Sequence, residues 1–311
     1  MDTTIRNDLS IAYGINVLTA EPVDGGWLNK KWKSVTDGGT FLVKQFSRDR
    51  FGDRQLGYIA DALVRQRFAG ESGIPCPTVL LTADGQPLRY LDDGTVYMVM
   101  TFCKGHMETP QTVTDEQMHD LGYTLGCLHR CFSTLPADGV KGYPIDCTKM
   151  LDDLRAYCRT IPSDQRFTEI ASALSPEWLE RLPKGIAHED FSPDNLLFHA
   201  DRVSAVLDFD RSCYSFLGHD IGRALMSLAW DGGVLRRDNV RAFAEGYSAA
   251  HFPLSSGDLA DALRLTWCIE TPWWIRPEFS GECTPKIARF RDEVLWLTEN
   301  WEKLDVFLSN E

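Results

Sequence analysis

The chain has 311 residues, 43% hydrophobic and 25% charged, with a formal net charge of −13; the length predicts two lobes, and the negative balance disfavours nucleic acid or an anionic membrane as partner and favours a cationic ligand. No apolar run approaches the ~20 residues of a membrane span, and Met1 to Asp8 lack the apolar stretch of a signal peptide. Nine cysteines without a C-x-x-C pair argue for reduced, buried thiols in a cytosol and against a zinc or redox site.

Along the chain, Asp24-Gly25-Gly26-Trp27-Leu28-Asn29-Lys30-Lys31-Trp32 lies between two strand-like runs. Its adjacent glycines read either as a plain hairpin turn or as a loop whose backbone amides cover phosphates. Phe41-Leu42-Val43-Lys44-Gln45-Phe46 is a strand with a lone Lys inside an apolar run. Burying that ammonium is costly unless it meets a phosphate or a carboxylate; the alternative is an edge strand with Lys44 in solvent. Leu56, Ile59, Ala60, Leu63, Val64 and Phe68 predict a helix over Arg54 to Ala69, closed by Gly70 and the Gly73-Ile74-Pro75 break. Tyr97 to Gly105 is a long apolar strand running into a Gly turn, with Met100, Phe102 and Cys103 as core residues. Leu121, Leu125, Leu128 and His129 mark one buried helix face, with His129 a satisfied core histidine. Leu151, Leu154, Tyr157, Cys158 and Ile161 mark a second helix.

The densest chemistry follows in His188-Glu189-Asp190-Phe191-Ser192-Pro193-Asp194-Asn195 and Asp208-Phe209-Asp210. In the phosphoryl-transfer template H-x-D-x-x-x-x-N, the Asp accepts the proton of a substrate hydroxyl, while the Asn and a later Asp hold magnesium on the ATP phosphates. Asp190, Asn195 and Asp208 fit those roles, and a hard cation prefers such oxygen ligands. Leu196-Leu197-Phe198 and Ala205-Val206-Leu207 read as short buried strands that present acids at their ends. A lone Asp in either place would be an ordinary turn or cap residue; the combination at this spacing outweighs that reading. A third helix runs from Ile221 to Trp230, with Asp220 as its N-cap. Farther on, Trp267, Glu270, Trp273, Trp274, Arg276 and Glu278 form either an aromatic cage for an amine or a stripe of core, and the core is favoured.

These motifs resemble the aminoglycoside phosphotransferase and choline kinase superfamily, small-molecule relatives of the protein kinases, over nearly the whole chain. That family's His-Gly-Asp-Leu-x-Pro-x-Asn, its later Asp-Phe/Trp-Asp/Glu and its Asp opening a helix are matched by His188 to Asn195, Asp208-Phe209-Asp210 and His219-Asp220-Ile221-Gly222-Arg223. Glu189 replaces the usual small residue. The resemblance implies an α+β, protein-kinase-like two-lobe fold, with an N-terminal antiparallel sheet plus helix over 1–103 and a mainly helical C-terminal lobe over 104–311. It implies ATP and Mg2+ as cofactors, Lys44 on the α- and β-phosphates, and Gly25 and Gly26 in the covering loop. Adenine then sits against the strand of Met100 and Phe102, and Asp220 braces the catalytic loop. The acid paired with Lys44 falls near Asp61, which is shorter than the family's Glu and reads equally as a solvated helix residue.

The implied activity is a cytoplasmic phosphotransferase acting on a hydroxyl of a small substrate. Only Phe209 to His219 separates Asp208 from Asp220, too little for a peptide-docking activation loop. Phe191 to Phe198 with Asp208-Phe209 and Cys213 also resembles the bacterial homoserine kinases of this fold, whereas Asp210 and Gly26-Trp27-Leu28-Asn29 depart from their pattern. Homoserine therefore stands beside aminoglycosides, amino alcohols and sugars. A catalytically weak ATP-binding module and a metal-dependent hydrolase using the same acids are the alternatives, and phosphate transfer from ATP separates them.

Overall fold

The computed structural model describes residues 1–23, 29–161, 165–276 and 284–309. Gly25, Gly26 and Glu278 lie outside these described residues. Two compact units emerge: Met1–Gly105 together with Ser204–Arg211, and His106–Val203 together with Ser212–Glu311. The short segment 204–211 thus joins the first unit, although it had been placed in the C-terminal lobe. It is tied there by Ser204 Oγ donating to the Lys104 carbonyl at 3.0 Å and the Val206 N–H donating to the Pro75 carbonyl at 2.7 Å.

The first unit opens with a helix absent from the expected elements, α1 (Thr3–Tyr13), whose N-terminus is capped by the Asp2 carboxylate accepting from Thr4 N–H at 2.8 Å. Then come β1 (Val17–Pro22), β2 (Lys30–Thr36), β3 (Gly39–Phe46), α2 (Asp53–Glu71), β4 (Arg89–Tyr90) and β5 (Val96–Thr101). The strands form one antiparallel sheet in the order β1-β2-β3-β5-β4. Strand alternation sends Val43, Tyr97 and Val99 to the face that packs with Ile5 and Leu9 of α1. Phe46, Met98 and Met100 go to the opposite face with Leu56, Ile59 and Leu63 of α2. Lys44 shares the parity of Leu42 and Phe46, so its side chain enters the α2 side. On the other side Asp8 of α1 accepts from Arg89 Nε and Nη2, each at 2.9 Å, and from the Tyr97 hydroxyl at 2.5 Å.

The second unit begins with α3 (Asp115–Phe132), set by a capping box between Thr114 and Gln117. It continues through α4 (Cys147–Cys158), α5 (Gln165–Ala173), α6 (Pro176–Arg181), β6 (Lys184–Ala187) and β7 (Leu196–His199). β8 (Arg202–Val206) carries the chain to Asp208. After that come β9 (Cys213–Phe216), α7 (Leu217–Leu228), β10 (Trp230–Asp231), β11 (Val234–Leu235), α8 (Arg237–Ala250), α9 (Ser256–Trp274), α10 (Pro285–Glu299) and α11 (Leu304–Leu308). α3 and α8 cross at backbone contact: a Cβ built on Gly122 would lie 2.0 Å from the Phe243 carbonyl oxygen, and one on Gly246 1.9 Å from that of His119. α7 meets α9 in the same way, with a Cβ on Gly222 falling 2.4 Å from the Ala262 carbonyl oxygen.

α7 is buried along almost its whole length, its polar His219, Asp220 and Arg223 included, which makes it the centre of this unit. It starts at Leu217, so Asp220 lies inside the first turn and is not the N-cap that was expected. Its carboxylate is thereby released for another task. Trp267 is fully buried, stacked on Phe167 at 5.8 Å and donating its indole N–H to Thr298 Oγ1 at 2.8 Å, and is core.

Candidate active site

Two constellations of functional side chains are described, one within each unit. In the first unit the strand β3 carries Lys44 into the interior, where its side chain is 3% exposed. Its ammonium donates to Asp208 Oδ1 at 2.8 Å and to Asp210 Oδ2 at 2.6 Å. The two acids are placed by local backbone geometry: Asp208 adopts φ +59, and a single 3-10 turn over Phe209–Arg211 follows it. That left-handed residue ends the extended run from β8 and turns both carboxylates toward the same cation. Lys31 of β2 reaches Asp208 Oδ2 at 3.4 Å. It was not singled out beforehand, although its register pairing with Lys44 puts it on the same face.

Burial would lower the pKa of Lys44, but the Asp208 and Asp210 carboxylates overcome it and hold the ammonium well above the ordinary lysine range. Burial pushes Asp210 up, aided by Asp208 and opposed by Lys44. Asp210 Oδ1 is buried and meets no hydrogen-bond donor among the described residues.

Asp61 does not take the expected place beside Lys44. It lies on the exposed side of α2, whose buried positions are Leu56, Ile59, Ala62, Leu63, Arg65, Gln66 and Ala69. The helix phase therefore turns Asp61 to solvent, and Asp208 and Asp210 supply the counter-charge instead. Met100 is buried in the α2-side core, and the Phe102 N–H donates to the Thr40 carbonyl at 3.0 Å while its ring lies 5.2 Å from Lys33 Nζ. Both residues serve the sheet through these contacts.

In the second unit, β6 and β9 pair from Ala187↔Cys213 to Lys184↔Phe216. The ladder delivers His188 at the end of one strand and α7 at the end of the other. Asp220 then accepts from the backbone N–H groups of His188, at 2.6 Å, and Glu189, at 2.8 Å. Its Oδ2 also meets His129 Nε2 at 3.2 Å, and His129 Nδ1 lies 2.9 Å from the Tyr247 hydroxyl. Burial disfavours the Asp220 charge, yet the His129 hydrogen bond and charge hold its pKa below the ordinary value. The core histidine of the sequence reading is thus the prop of the loop-bracing acid.

Within the loop the Ser192 N–H donates to the Asp190 carbonyl at 2.8 Å, and the Asn195 N–H to the Ser192 carbonyl at 2.9 Å. Asn195 Nδ2 donates to the Asp190 carbonyl at 2.9 Å, which commits its amide nitrogen to the loop. Lys286 of α10 pairs with Asp194 at 2.6 Å. Beneath these residues runs a buried chain of charges. His219 lies between Glu189 Oε1 at 3.2 Å and Glu270 Oε1 at 3.1 Å; Arg223 meets Glu270 at 3.5 Å and pairs with Glu293. Burial opposes the charge on His219, but Glu189 and Glu270 push its pKa up to about 10. Glu270 is held down to about 2, burial being outweighed by Arg223, His219 and Trp274.

The family model described as "Phosphotransferase enzyme family" matches residues 19–253. The chain is 26% identical over 271 residues to a homoserine kinase of Paramagnetospirillum magneticum, covering 83% of this chain and 80% of that one. It is 28% identical over 267 residues to the homoserine kinase of Gluconacetobacter diazotrophicus, covering 83% and 79%. Among solved structures it is similar to an amicoumacin kinase in complex with AMP-PNP and Ca2+, with a TM-score of 0.69 at 16% identity over 94% of this chain and 92% of that one.

Proposed function

The chain belongs to the phosphotransferase enzyme family, and from that membership we propose that it transfers the γ-phosphate of ATP, with Mg2+, to a hydroxyl of a small amine-bearing molecule, homoserine being the first candidate. The observation that carries the reading is the buried Lys44 ammonium clasped by both carboxylates of Asp208-Phe209-Asp210. A buried cation held beside acids on a rigid strand is a preformed receptor for phosphate oxygens and their metal. The homoserine kinases matched over about four fifths of their length support the substrate class, and the acidic balance of the chain agrees with a cationic ligand.

Asp190 takes the proton of the acceptor hydroxyl, and the Asp220 brace on the two preceding backbone amides fixes the direction of its loop. Lys44, assisted by Lys31, binds phosphate oxygens. Within the first unit the donors suit a hard divalent cation: Asp208 offers oxygens, and the buried Oδ1 of Asp210, which meets no hydrogen-bond donor among the described residues, adds a further one. Asn195 and Asp208 would hold the magnesium ion, which when bound neutralises charge on the transferring phosphate.

An ATP-consumption screen over hydroxylated amino acids, amino alcohols, aminoglycosides and sugars tests the reading, with Asp190→Asn as the blank. Mg-dependent phosphate transfer to an amine-bearing member is expected. Transfer only to sugars would overturn the substrate class, and ATP binding without transfer to any member would leave a nucleotide-binding module.

A further inference from the structure

Glu189 occupies a backbone conformation that ordinary residues avoid. Its φ is +65, the left-handed region that glycine enters without penalty and that a residue with a Cβ enters at a cost. It directly precedes Asp190, so the torsions at 189 set where the Asp190 side chain points. The backbone N–H of Glu189 is fixed by Asp220, and its carboxylate is held from the other side by His219 Nδ1 at 3.2 Å. His219 is itself immobilised, since Nε2 meets Glu270 Oε1 at 3.1 Å and the side chain is 3% exposed. Glu270 is secured by Arg223 and by the Trp274 indole N–H. The strained residue is thus gripped at its amide by α7 and at its carboxylate by a histidine braced on α9.

We propose that His219 is a positioning residue for Asp190: it clamps the Glu189 carboxylate and thereby holds the left-handed turn that a glycine at this position would adopt unaided. The assignment of Asp190 rests on the kinase reading above, whereas the clamp is a property of the fold and is testable without turnover. Glu189 and His219 form one device, in which the side chain that makes the turn costly is also the handle by which the turn is kept.

The device makes a specific demand on paired substitutions. His219→Gln should lower kcat roughly tenfold or more with little change in KM for ATP, because the loop loses its orientation and the nucleotide contacts persist. Glu189→Ala, which keeps the strain and removes the handle, should be similarly slow. Glu189→Gly should remain within a few-fold of wild type, and His219→Gln combined with Glu189→Gly should recover most of the lost kcat. Failure of the glycine to rescue would show His219 acting elsewhere, and a Glu189→Gly variant as slow as Glu189→Ala would assign the carboxylate to substrate; either result overturns the clamp. Thermal unfolding reads the same coupling independently of activity. Glu189→Gly should raise the unfolding temperature by roughly 2–4 °C in the His219→Gln background while lowering or preserving it in the wild-type background. Equal shifts in the two backgrounds overturn the proposal even if no substrate is phosphorylated, whereas absence of transfer with the coupling intact counts against the kinase reading alone.

Discussion

Lys31 and Lys44 face each other directly across β2 and β3. Like charges in that position repel, and here they are reconciled by Asp208, which bonds both ammonium groups, and by Asp210, which bonds Lys44. The pair is a concentration of positive charge kept in place by acids.

The two lysines should respond differently to neutralisation. Lys44→Met leaves two carboxylates near an apolar interior, and loss of one partner of a buried ion pair costs about 3–5 kcal/mol. Lys31 is more exposed and its contact longer, so Lys31→Met should cost about 1 kcal/mol or less. Denaturant unfolding of both variants measures this, and ATP titration should show weaker binding in each.

Asp190→Asn should lower turnover by roughly 10²–10⁴-fold while leaving ATP affinity and the unfolding temperature near wild type. Steady-state kinetics alongside nucleotide binding separates loss of the base from loss of the fold. Near-native turnover would remove Asp190 from the role of base.

Asp208→Ala should abolish the part of ATP stabilisation that depends on Mg2+. A thermal-shift titration with ATP in the presence and absence of the metal reads it directly. An unchanged Mg-dependent shift would place the metal on other residues.

The buried His219–Glu270 pair should give stability a defined pH window. His219 is raised from 6.5 to about 10, so its contribution is complete below pH 6.5 and disappears as pH rises through about 10. Glu270 is lowered from 4.5 to about 2, so its contribution is complete above pH 4.5 and disappears as pH falls through about 2. Both are present between pH 4.5 and 6.5. The difference in unfolding temperature between wild type and His219→Gln should be widest there and shrink toward pH 10; a difference independent of pH would mean that His219 is neutral in the fold.

The candidate residues stood out in the sequence because their motifs are local. The elements from His188 to Asn195 and the Asp208-Phe209-Asp210 triplet are short enough that spacing alone constrains geometry, and the lone Lys44 in an apolar run announced a buried partner. The identity of that partner was not readable. Helix periodicity located α2, but its phase turned Asp61 outward, while the acids that meet Lys44 come from 164 and 166 positions along the chain. α1 was missed because its buried contacts, Ile5, Asp8 and Leu9, are few and interrupted by polar residues, although Asp2 and Gly14 are readable cap signals. Glu189 departs from the family pattern; in this chain it takes a positive φ, a conformation that favours glycine and that only coordinates reveal.

The return of residues 204–211 to the first unit has a consequence for biosynthesis. A ribosome that has completed the sheet at Thr101 has yet to make the acids that neutralise Lys44; at roughly 5–20 residues per second the 107 positions from Thr101 to Asp208 take roughly 5–21 s. During that interval the nascent sheet holds two opposed lysines with no native counter-charge from Asp208 or Asp210. Neutralisation of the two lysines is therefore a late event, timed by translation of the segment that carries Asp208 and Asp210.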